Sequence, residues 1–147
     1  MRKILLISFV TILFSCSISQ KEKPQLETKE NDKIIYPEAE LSDEKSESAP
    51  FNIINTNISG NYMEFEVEYS GGCKEHDFKL IGEKNITKTQ PPKRKITLIH
   101  NTFDDRCKSI VRKKIKFSIS VLSNNGKLKP ITLELINSNE IFSYMYE

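Results

Sequence analysis

Apolar and polar positions alternate with a period of two over much of the second two thirds of the chain. The clearest run is Tyr62 to Tyr69, where Met63, Phe65, Val67 and Tyr69 alternate with Glu64, Glu66 and Glu68. That period puts the apolar set on one face of a strand and the three carboxylates on the other. Gly60-Asn61 precedes it, which is turn chemistry, so Phe51 to Ile58 is expected to be its hairpin partner. Further strands are expected at His76 to Gly82, Arg94 to Asn101, Lys113 to Leu122, Leu128 to Ile136 and Ile141 to Tyr146. In the fifth run Ile115, Phe117, Ile119 and Val121 are expected to face inward, and Asn124-Asn125-Gly126 is expected to turn it back onto the sixth. Residues 83–93, with Pro91-Pro92, read as a loop. About seven strands at hairpin spacing and no convincing helix predict an all-β fold. The arrangement expected is a single antiparallel β-sandwich, immunoglobulin-like or another Greek key.

The first 50 residues follow other rules. Arg2 and Lys3 precede an apolar run from Ile4 to Phe14, well short of the roughly 20 residues a spanning helix needs. It ends in Leu13-Phe14-Ser15-Cys16, which resembles the lipobox of bacterial lipoproteins. The resemblance implies diacylglycerol on the Cys16 thiol, cleavage just before it, and a membrane anchor in the cell envelope. Residues 16–50 then read as the lipidated cysteine and a flexible acidic tether. Between 20 and 50 there are nine acidic residues and five lysines, and Pro24, Pro37 and Pro50 break any long helix. Such a segment buries too little apolar area to offset its ordering entropy. The expected organisation is therefore a signal peptide at 1–15, the tether at 16–50 and a β-sandwich domain at 51–147.

Charge follows this division. The domain carries 15 basic and 11 acidic residues, whereas the whole chain is only +2. Lys93-Arg94-Lys95 and Arg112-Lys113-Lys114 with Lys116 form two basic clusters. If their strands are close they make a patch for an anionic envelope partner such as an acidic polysaccharide. The alternative is a solvated strand face that blunts a sheet edge. Nucleic acid is not an expected partner of an envelope protein; an envelope protein is.

Candidate chemistry gathers around one glycine pair. Val67 to Phe78 joins two strands through Gly71-Gly72 and carries Cys73 and His76. If the strands around Phe78 and Leu98 are antiparallel neighbours, Cys73 and His76 lie at the same end as His100 and Cys107. In an oxidising compartment the default is a Cys73–Cys107 disulfide, worth about 3–4 kcal/mol on the chain-entropy model. Two metal readings compete with it. Cys73, His76, His100 and Cys107 make a tetrahedral zinc set if reduced. Alternatively the bridge is kept, and His76 and His100 bind a divalent metal with Asp77, Asp104 or Asp105. The plain alternative gives each histidine a loop carbonyl as its hydrogen-bond partner.

Catalytic signatures are thin. There is no phosphate-binding glycine loop, no Gly-x-Ser-x-Gly and no His-Glu-x-x-His. Ser70 has no spacing that pairs it with a histidine base. Glu64, Glu66 and Glu68 suit a solvated face better than acid–base work. No catalytic residue and no resident cofactor are expected.

Gly71-Gly72-Cys73-Lys74-Glu75-His76-Asp77-Phe78, followed by Asp104-Asp105-Arg106-Cys107, resembles a pattern in small bacterial envelope lipoproteins with a single β domain. The likeness spans about residues 53–137 and implies an envelope β domain without implying an activity. The sequence thus points to a lipid-anchored, disulfide-stapled binding or structural module of the envelope, with metal binding through the histidines as the alternative.

Overall fold

The computed structural model describes residues 35–124 and 129–147. The leader, Cys16 and the turn at Asn125-Gly126 lie outside the described residues. Among the described residues, eight strands form two sheets: β1 (Glu40–Leu41), β2 (Asn52–Ser59), β3 (Tyr62–Gly71), β4 (Asp77–Gly82), β5 (Lys93–Asn101), β6 (Ser109–Ser118), β7 (Ile131–Leu135) and β8 (Glu140–Tyr144). The sheets are ordered β2-β3-β6 and β1-β4-β5-β7-β8. Their inner faces supply one core, from Met63, Phe65, Val67 and Phe117 on one side and Leu80, Ile96, Leu98, Ile131 and Leu133 on the other. Every inward residue expected of the Tyr62–Tyr69 run is buried.

The β-sandwich follows the expectation, with one change in topology. Four ladders are antiparallel, but β1 runs parallel to β4 and β7 parallel to β5. The hairpin expected between the fifth and sixth runs does not form. β6 ends at Ser118, and Ser120–Leu122 make one turn of 3-10 helix. The chain then crosses to the other sheet, where β7 adds beside β5. Turn residues signal that a chain reverses; they do not say which sheet receives it. The 3-10 turn also shifts the phase of the run, so Leu122 is fully buried where Val121 was expected inward.

The folded unit begins before the expected boundary at 50/51. Ala39 is buried in the core, and β1 pairs with Ile81 and Gly82. The Ala39 N–H donates to the Ser118 carbonyl at 2.8 Å, and the Ser118 N–H donates to Pro37 at 2.9 Å. Residues 37–41 therefore hydrogen-bond to both sheets. Farther on, the Ala49 N–H donates to the His100 carbonyl, and the His100 N–H donates to Ser48 Oγ. Polar composition made this stretch look like tether. Its order comes from backbone hydrogen bonds to the edges of three strands, β4, β5 and β6, which composition does not register.

The basic clusters do not form one patch. Lys93, Arg94 and Lys95 lie on β5, and Arg112, Lys113, Lys114 and Lys116 on β6 of the other sheet. Arg94 points into the interior, 5% exposed. Its guanidinium donates to the carbonyls of Leu122 (3.0 Å), Glu83, Lys84 (3.2 Å) and Ser123 (3.5 Å). Burial lowers its pKa. On β6, Arg112, Lys114 and Lys116 stand opposite Glu68, Glu66 and Glu64 in register. Asn52, Asn55 and Asn57 of β2 extend the same rows. The outer face of the three-stranded sheet is thus a lattice of Asn–Glu–Lys/Arg rows, in which Arg112 Nε meets Glu68 Oε2 at 2.8 Å. Cross-strand pairs of opposite charge stabilise such a face, which is the solvated alternative raised above.

Candidate functional site

The glycine-linked stretch comes together at one end of the sandwich. Phe78 pairs with His100 and Leu80 with Leu98 in the antiparallel β4–β5 ladder, which brings the two histidine-bearing ends side by side. Gly72 turns the chain out of β3 at φ +107°, a conformation that favours glycine. Gly71 is required for space: a Cβ there would sit 2.6 Å from His76 Cε1. The Cys73–Cys107 disulfide closes this end, with a Cα–Cα distance of 5.9 Å and a separation of 34 positions along the chain.

Asp105 is the hub. Phe103 and Asp104 precede it at positive φ, and its own N–H donates to the Thr102 carbonyl. This tight turn delivers the carboxylate beneath the disulfide. Oδ2 accepts from the Cys73 N–H (3.0 Å), the Lys74 N–H (3.0 Å) and His76 Nε2 (3.2 Å), and Oδ1 accepts from the Cys107 N–H (2.9 Å). These hydrogen bonds, the Cys107 N–H foremost and outweighing desolvation, hold the carboxyl far below the ordinary carboxylate range.

The chain of contacts continues inward. His76 Nδ1 lies 2.8 Å from His100 Nε2. An ionised carboxylate only accepts, so the neutral pair has one proton order. His76 Nε2–H donates to Asp105, and His100 Nε2–H donates to His76 Nδ1. His100 Nδ1 is then a buried acceptor without a hydrogen bond. Burial first and the neighbouring His76 second lower the His100 pKa, outweighing backbone contributions from Pro50 and Ala49 that act the other way.

Aromatic rings seal this polar thread. Tyr69 stacks on His76 at 4.5 Å, Phe78 stacks on His100 at 4.5 Å, and Phe51 meets His100 edge-on at 5.6 Å. Burial, with Glu75 and Asp105 behind it, raises the pKa of the Tyr69 hydroxyl. Residues 46–49 and β5 border a groove of about 550 Å³ that reaches His100, yet that residue is only 1% exposed.

The sequence-derived site is therefore only partly assembled. Cys73, His76, His100, Asp105 and Cys107 meet, with the histidines bonded to each other and His76 to Asp105. Asp77 is exposed on β4, and Asp104 pairs with Arg106 at 3.3 Å in solvent. Of the three rim carboxylates only Asp105 joins the histidines, and among the described residues the ligand atoms close enough to share an ion belong to Cys73, Asp105 and Cys107.

Two supports escaped sequence reasoning. The Asn137 side chain stands in for a strand beside β5, its Oδ1 accepting from the Leu98 N–H at 2.7 Å and its Nδ2 donating to the Leu98 carbonyl at 3.1 Å. Asn61 Oδ1 accepts from the Tyr144 hydroxyl and the Glu147 N–H. Burial first, with Tyr146 and Glu147, pushes the Tyr144 pKa up to about 12. Both asparagines occur in turn-like sequence, where nothing local marks them as long-range clamps.

The geometry can be set against known proteins. A NigD-like immunity protein from Bacteroides caccae has this fold, with a TM-score of 0.55 and 11% identity over 75% of this chain and 58% of that one. A protein of unknown function from Bacteroides vulgatus aligns with a TM-score of 0.49 and 13% identity over 76% and 57%. The chain spans less than two thirds of the length of either protein. No curated protein matches the sequence at a significant level. The model of the NigD-like C-terminal beta sandwich domain matches residues 33–144, ending on the last residue of β8. The chain belongs to the NigD-like C-terminal beta sandwich domain family.

Proposed function

We propose that this protein is a lipid-anchored module of the bacterial cell envelope that acts by binding a protein partner, as an immunity-type protein and not as an enzyme. Membership of the NigD-like family over residues 33–144 carries the reading. The likeness in fold to a protein described as NigD-like immunity protein supports it. The local chemistry agrees. The one constellation with catalytic residue types is shut behind stacked rings, and its groups are engaged with each other. The outer sheet faces are what the domain offers to a partner. The anchor rests on Leu13-Phe14-Ser15-Cys16, and the periplasmic or surface location follows from it.

Crosslinking in the native envelope, with the captured species identified and rebound to the purified domain, tests the binding role. One protein partner that rebinds stoichiometrically is the expected result. Capture of polysaccharide alone, or a partner that does not rebind, would sink the reading. Metabolic labelling with a fatty acid tests the anchor: label should be present in the native chain and lost in Cys16→Ser. The histidine-metal alternative gains no support, because His76 Nδ1 and His100 Nε2 are already committed to each other.

A further inference from the structure

We propose that reduction of the Cys73–Cys107 bridge opens a binding site for a soft divalent cation such as zinc, with the two thiolates and the Asp105 carboxylate as protein donors. Sulfur atoms of both cysteines and a carboxylate oxygen of Asp105 lie within 4.8 Å of one another. Zinc–thiolate bonds of about 2.3 Å at a tetrahedral angle place two sulfurs roughly 3.8 Å apart. The donors therefore need only a small separation once the covalent bond is gone.

The positions do not depend on that bond. Asp105 grips both cysteine backbones, Cys73 through Oδ2 and Cys107 through Oδ1. Cutting the sulfur–sulfur bond leaves this clasp in place, so the thiols remain neighbours. Oδ1 accepts a single hydrogen bond and keeps a lone pair for a metal. His76, donating to Oδ2 at 3.2 Å, fixes the orientation of the carboxylate in the way an outer partner steadies a metal ligand. Cys73 is exposed, so reductant and ion arrive from solvent, and water takes the fourth position.

The step balances with a dithiol reductant. Two electrons and two protons pass to the disulfide, giving two thiols, while the reductant closes its own disulfide. Binding of the cation then releases the two thiol protons to water.

Cobalt(II) titration of the intact chain, oxidised and after phosphine reduction, tests this. The reduced chain should show a sulfur-to-cobalt charge-transfer band and tetrahedral visible bands that zinc abolishes, and the oxidised chain neither. Asp105→Asn should weaken binding by at least about tenfold, and Cys107→Ser should remove the charge-transfer band. Near-ultraviolet circular dichroism is recorded throughout and should keep its folded signature in the reduced chain. Three results would overturn the proposal: no charge-transfer band in the reduced chain, unchanged affinity in a folded Asp105→Asn, or collapse of the folded signature on reduction. The comparison of oxidised and reduced wild type decides by itself if Asp105→Asn does not fold.

Discussion

Arg94 and His100 share a parity with Ile96 and Leu98 on β5, and the four side chains share an interior face. That alternation was visible in the sequence. Reading Arg94 with Lys93 and Lys95 as a surface cluster put composition ahead of period. Its guanidinium donates to four carbonyls, two of them through buried hydrogen bonds, so Arg94→Met should cost on the order of 3 kcal/mol. Urea denaturation checks this, and a loss under about 1 kcal/mol would show the carbonyls are satisfied otherwise. His100 makes stability depend on pH. Its folded pKa lies below its unfolded value of about 6.5, so below that pH the unfolded chain binds the extra proton. Stability is full above about pH 6.5 and falls as the pH drops toward the lowered folded value. Asp105 adds a second loss, beginning where an ordinary carboxyl protonates and continuing lower. Denaturation midpoints should therefore fall between pH 7.5 and 5. His100→Gln, which still offers a donor to His76 but does not titrate, should be less stable and flatter over that range. A wild-type midpoint that stays level would contradict this reading. The carboxylate hub itself was not legible, since Asp104 and Asp105 look alike in sequence and only the positive-φ turn decides which one faces inward.

Among the elements, the strands were legible to within a few residues because each hides one face. What the sequence left open was pairing. Period-two patterning says which face a strand buries but not whether its neighbour runs parallel, and so the β5–β7 ladder replaced a hairpin. The segment at 35–50 was missed for a related reason. Its only well-buried side chain is Ala39, with Leu41 half-buried against the core and Tyr36 edge-on to Tyr62, and its remaining ties are backbone or polar. A chain beginning at residue 51 should fold but melt roughly 10 °C or more below one beginning at residue 35. It gives up the Ala39 contact and exposes the edges of β4 and β6, and each kcal/mol is worth about 4–8 °C at this size. Equal melting temperatures would mean that the segment only rests on the sandwich. Ala39→Asp in the longer chain should reproduce most of the loss, because it places an unpaired carboxylate in the core.

For the molecule as a whole, one end of the sandwich is tied by the disulfide, the Asp105 clasp and the paired histidines, all reached from two adjacent strands and two loops. Replacing Cys73 and Cys107 together with serine should cost about 3–4 kcal/mol while leaving the domain folded at 25 °C. Loss of folding altogether would mean that Asp105 cannot hold the loops alone. The bridge was legible from the oxidising compartment implied by the leader and from the pair of cysteines left in the domain. The histidine pair was not, because sequence places both rings at one end without saying that they meet. This end works as a brace. The most direct test follows the His100 ring by nuclear magnetic resonance as the pH is lowered in the folded protein. The account predicts that its titration midpoint lies below the 6.5 of an ordinary imidazole. A His100 that titrates freely at or above 6.5 would mean an open, solvated imidazole, and the sealed brace would not exist.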